Sequence, residues 1–242
     1  MGSYFFLVSL LPVMPLSLGG KLPVPFESIS RLIRRNTEAD DAPLVDLSLL
    51  YIDTYNFEYF QKGWDIFVPG GTLNREQIAQ GQGLPFFMRA FLAESDQREG
   101  RRYIYDDLWE SYFAHAYSLA AAMGCQFLVD YLSWEVRLRN GLVALRTKRT
   151  GEETLDHQLL HWMGSLDISL MLPDLNEELD PLLIERSLDE ERLKRIYDCE
   201  GTNPFSRDTV LAYLERFRIF SRWEGINETY DVANIIQTEV RR

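Results

Sequence analysis

The chain has 242 residues, the size of one large domain or two small ones, and it can bury about three quarters of its surface on folding. With 46% hydrophobic and 26% charged residues it is globular in composition, which excludes wholesale disorder. Its 25 basic and 37 acidic residues give a net charge of −12, which repels phosphate backbones and argues against a nucleic-acid binder. Two cysteines, Cys125 and Cys199, are too few for a disulfide framework or a zinc cluster and read as free thiols in a reducing cytoplasm.

The first element is a short apolar run from Tyr4 to Leu11, cut off by Pro12 and Pro15. No basic residue precedes it and it is far short of the ~20 residues of a membrane span, so it is expected to be neither a signal peptide nor an anchor. Its aromatic and β-branched content predicts a strand or extended segment tucked into the core. Phe26, Ile29, Leu32 and Ile33 mark an amphipathic helix, and 44–60 marks a second. Residues 64–71 break the pattern with Pro69-Gly70-Gly71, a loop. Short helices are expected at 75–80 and 85–94, separated by Gly81, Gly83 and Pro85.

Residues 107–149 hold no proline and only two glycines, Gly124 and Gly141. Phe127, Tyr131, Trp134, Leu138, Leu142 and Leu145 step at helical spacing, with Leu128, Leu132, Val136 and Val143 beside them. The reading is a long central helix, either continuous or broken near Gly124 into two stacked helices. Further helices are expected at 155–162, 182–199 and 207–222, and a closing one at 231–240. Ser187 to Glu190 is a weak capping-box match that leaves room for a break inside the 182–199 helix. Ser206 is a fair N-cap for the helix after it. The fold class is all-α: a multi-helix bundle or funnel with a short extended N-terminal segment.

Catalytic motifs are absent. There is no P-loop, and Gly81-Gln82-Gly83 has Phe86 in place of the third glycine of a dinucleotide fingerprint. His157 and His161 are four apart and would share a helix face, with Asp156 and Asp167 as oxygen donors, but no Glu supplies the metalloprotease base. His115 lacks the Glu of a di-iron motif. Cys125 reads as a small buried thiol, and the acidic surroundings of Cys199 would raise its pKa. No catalytic residue, cofactor or metal is assigned.

Charge placement is more informative. Residues 174–200 carry ten acids and four bases, whereas 134–151 carry five bases and one acid. Such runs are solvated faces or docking patches. Glu135 and Arg139 are spaced for an i,i+4 pair worth about 0.3–0.5 kcal/mol if exposed. Arg137, Arg146 and Arg149 have no obvious local partner and are the candidate partner-docking residues.

The segment from Trp134 to Arg146 resembles the W-E-x-x-L-R-N-x-L-x-x-L-R helix of a bacterial family encoded in V-type (V/A-type) ATPase operons. The opening Y-F-F-L-V-S-L-L-P is similar to that family's aromatic start, and Phe205 to Trp223 resembles its closing helix. Pro181 to Tyr197 fits between them, so the resemblance spans nearly the whole chain. That family resembles the C-type subunit of V-type rotary ATPases, known in eukaryotes as the d-type subunit. The resemblance implies an all-helical funnel seating the central shaft on the membrane ring, and it carries over Glu135, Asn140, Leu142, Leu145 and Arg146 as the matching pattern. The C-type subunit is longer, built from three helical bundles; this chain would replace it or act as an accessory. The expected organisation is a single domain of that type over 1–242, with sub-bundles at about 1–105 and 106–242 as the other partition. The expected function is a non-catalytic rotor component in ion transport, cytoplasmic and peripheral to the inner membrane. It would contact shaft and ring and meet the membrane only through them. The alternatives are a helical adaptor, favoured by a groove lined by Phe86, Phe87 and Phe91, and, last, a metal-dependent helical enzyme using His157 and His161.

Overall fold

A computed structural model describes residues 4–94, 104–151, 157–171 and 181–229. Among the described residues every regular element is a helix. These are α1 (Phe5–Leu10), α2 (Phe26–Asn36), α3 (Ala42–Gln61), α4 (Arg75–Gln80), α5 (Phe86–Ala93), α6 (Ile104–Ala122), α7 (Gln126–Thr150), α8 (Pro181–Cys199) and α9 (Arg207–Thr229), with 3-10 turns at His161–Met163 and Ile168–Leu170. The protein is all-α, as its periodicity predicts.

The N-terminal run is not extended: Phe5 to Leu10 form a helix. A short apolar run carries no period that separates strand from buried helix, and here tertiary contacts decide. The Tyr4 amide donates to the Phe205 carbonyl (2.9 Å), Leu7 is buried, and the Tyr213 hydroxyl donates to the Pro12 carbonyl (2.7 Å). Further on, the Leu22 amide donates to Glu224 (2.9 Å). Residues 4–22 are thus tied at three points to α9 and the residues that lead into it.

The long stretch 107–149 is broken, and the cause is local. Gly124 sits at φ +61°. The Cys125 amide reaches back to the Ala120 carbonyl (2.9 Å) and the Gly124 amide to the Ala121 carbonyl (3.1 Å), the paired bonds of a Schellman stop. α6 and α7 therefore fold back on each other as a hairpin, and theirs is the most extensive helix pairing among the described residues. Of the predicted seam, Phe127, Tyr131 and Leu138 are buried, as are Leu128, Leu132 and Val136, while Trp134, Leu142, Val143 and Leu145 are half-buried.

The most enclosed helix is α3. Leu44, Val45, Leu47, Leu49, Leu50, Ile52 and Phe57 are all buried, and it packs against α2, α4, α6 and α9. A helix apolar on nearly every side belongs inside. Its buried polar residues hold the 64–73 loop in place. Asp53 accepts from the Thr72 amide (2.9 Å), the Thr72 hydroxyl (2.6 Å) and the Leu73 amide (3.0 Å). Asn56 exchanges two hydrogen bonds with the backbone of Val68.

Two other expectations are corrected. The helix predicted at 155–162 is absent where described: 157–164 is a turn with Leu160 at φ +41° and a 3-10 turn at His161–Met163, shaped by the side chain of Asn140. α8 runs unbroken through Ser187, so the capping-box match is coincidental. Ser206 does cap α9, its hydroxyl accepting from the Thr209 amide (3.2 Å). The closing helix predicted at 231–240 lies outside the described residues.

Candidate functional site

α7 carries the densest chemistry. One of its faces holds Glu135, which is buried. The Glu135 carboxylate accepts from Arg139 Nε (2.9 Å), from Arg192 Nε of α8 (2.9 Å) and from Arg192 Nη2 (3.2 Å). Arg192 continues to Asp189 (2.8 Å), whose other oxygen accepts from Trp223 Nε1 (2.7 Å) and Arg222 (3.1 Å) of α9. Arg222 ends the chain on Glu185 (2.6 Å). In the other direction Arg139 donates to the Tyr51 hydroxyl of α3 (2.8 Å). Arg218 lies 4.0 Å over the Tyr51 ring and pairs with Glu215. Charges of alternating sign thus tie α3, α7, α8 and α9 together.

Burial alone would raise the Glu135 carboxyl, but Arg192 and Arg139 outweigh it and hold it at about 2. Burial likewise opposes ionisation of Tyr51, yet Arg139 and Arg218 bring its hydroxyl below the ordinary value of 10. Tyr55, 3.4 Å from it, is pushed up, first by the Tyr51 charge and then by burial. A buried pair is costly unless its partners are complete, and here each carboxylate of the chain is met by a guanidinium. The Glu135–Arg139 pair is therefore no exposed i,i+4 decoration; it is the middle of a cross-bundle tie.

One residue on from Arg139, Asn140 is buried and clasps the loop above it. Its amide donates to the Leu159 carbonyl (2.8 Å) and the Gly164 carbonyl (2.9 Å), and its oxygen accepts from the Leu159 amide (2.8 Å). Gly141 lets the same loop lie directly on the helix: a methyl group there would fall onto the Leu166 carbonyl oxygen and within 2.7 Å of Ile168 Cγ1. The Leu166 amide also donates to the Arg137 carbonyl (2.9 Å). Beneath it Leu138, Ile168 and Leu188 form a small second core flanked by Trp134, Leu142 and Ile184. The W-E-V-R-L-R-N-G run is thus a structural keystone joining the bundle, the 157–171 loop and α8.

Of the predicted docking residues, Arg137 and Arg146 are exposed, while the side chain of Arg149 lies outside the described residues. Arg146 is not as isolated as the sequence suggests. It acts on Asp106 of α6, whose carboxyl burial pushes up while Arg146 and His157 pull it down. The acidic run is also partly inward-turned, since Glu185 and Asp189 belong to the network; its first part, 174–180, lies outside the described residues.

The remaining candidates fall apart as sites. Phe87 and Phe91 are core residues while Phe86 is 78% exposed, so these three line no common groove. His157 and His161 occupy a turn and share no helix face. Among the described residues no group of three or more His, Cys, Asp or Glu is placed to hold a metal. Cys125 is buried beside Asp208, and burial pushes its thiol up to about 12. The 64–71 loop exposes Trp64, Ile66 and Val68 beside a shallow pocket lined by Asn56, Phe60, Phe67, Arg75 and Ile78.

Sequence reasoning missed Tyr51, Asp189, Arg192, Arg218 and Arg222. The signal was present as charges breaking apolar helix faces, such as Arg218 between Phe217 and Phe220, but pairing across helices needs the fold.

Residues 1–235 match the family described as "Protein of unknown function (DUF2764)", and the chain belongs to that family. No curated protein matches the chain. Among the described residues no helix is long and apolar enough to cross a membrane.

Proposed function

We propose that this member of the DUF2764 family is a non-catalytic component of a V-type rotary ATPase, coupling the central shaft to the membrane ring during ion transport. The observation that carries the reading is the double use of α7, the helix that most resembles the operon-encoded family. Its Glu135, Arg139, Asn140 and Gly141 lock four helices and a loop into one body. Its Arg137 and Arg146 stand on the surface of a strongly acidic chain. A part that transmits torque needs a body that does not shear and a charged face that finds its neighbour. In this reading the protein sits at the cytoplasmic side of the inner membrane and is held there by the shaft and the ring.

The test is a pull-down from native membranes with the protein tagged at its C-terminus. Shaft and ring proteins recovered in stoichiometric amounts are the expected result. Their absence, with the ATPase shown intact in the same extract, sinks the reading. The variant Arg137→Glu/Arg146→Glu/Arg149→Glu is expected to keep its helical signal and lose that recovery; if it unfolds instead, the arginines serve the fold.

A further inference from the structure

We draw no further inference here: the strongest candidate, the exposed apolar patch of Phe60, Trp64, Ile66 and Val68 beside the shallow pocket at the end of α3, carries nothing, because nothing in the structure shows what covers it.

Discussion

Replacing Glu135 by Gln keeps the shape of the side chain and removes only its charge. Two guanidinium groups, those of Arg139 and Arg192, then face a neutral amide; their side chains are only 22% and 13% exposed. Removing one partner of a buried ion pair costs about 3–5 kcal/mol. The ionisation of Glu135 gives a second route to the magnitude: a carboxyl held at about 2 in place of 4.5 is worth on the order of 3 kcal/mol. The two agree. For a chain of this length each kcal/mol moves the melting temperature by about 2–4 °C, so Glu135→Gln is expected to melt roughly 6–20 °C lower. The pH dependence supplies the sharper assay. Because the folded value lies below the unfolded one, the contribution is fully present above about pH 4.5 and is lost as pH falls toward about 2. The stability gap between wild type and Glu135→Gln, taken from urea melts, should therefore be flat at neutral pH and reduced to roughly half near pH 3. A gap below about 1 kcal/mol at neutral pH, or one that does not close on acidification, refutes the ionic tie as the source of stability.

Asn140→Ala deletes three hydrogen bonds to the 159–164 turn and strands the buried Leu159 amide. The expected cost is about 1–3 kcal/mol, seen as lost hydrogen-exchange protection at Leu159; unchanged protection would count against the clasp. Gly141→Ala should also cost about 1–3 kcal/mol by overpacking, because Leu166 and Ile168 occupy the space. Gly225→Ala, in α9 at a position where an added methyl group meets no side chain or distant backbone within 4 Å, should be neutral or stabilise by about 0.5–1 kcal/mol, so equal effects at the two glycines would contradict the packing. Cys125, pushed up to about 12 by burial, should react with Ellman's reagent only as fast as the protein unfolds; labelling of the native thiol at the rate of free cysteine would show the site to be open.

The sequence carried the helices because their apolar residues repeat at helical spacing, and even the break at Gly124 was available from a glycine in an unbroken run. Helical spacing held for α2 and for α6 through α9, which show a repeating face to the core, and for α3, which is long and apolar on nearly every side. It failed for Phe5 to Leu10, which is too short to display a period and is held at its two ends, by Tyr4 on Phe205 and by Pro12 on Tyr213. It failed again at 157–162, where one buried Asn outvotes a run of Leu. The network around Glu135 was legible only in its local half, Glu135 with Arg139. Arg192 comes from 57 residues away, and nothing in composition or spacing joins them. The basic face was read from counts along the chain, which do not reveal that Arg146 lies in the field of Asp106 from a different helix.

The attachment of the first helix to the last carries a consequence for biogenesis. Pro12 waits for Tyr213, 201 residues later. At about 5–20 residues per second the ribosome needs on the order of 10–40 s to deliver it. Through that interval the stretch from Tyr4 to Leu16 has the α2–α3 turn, through Asp41, to lie on but not α9, and its remaining apolar side chains are open to whatever chaperone stands at the exit tunnel. Closing this seam is the step with the longest loop to restrain, which places the N-terminal helix among the last parts of the protein to settle.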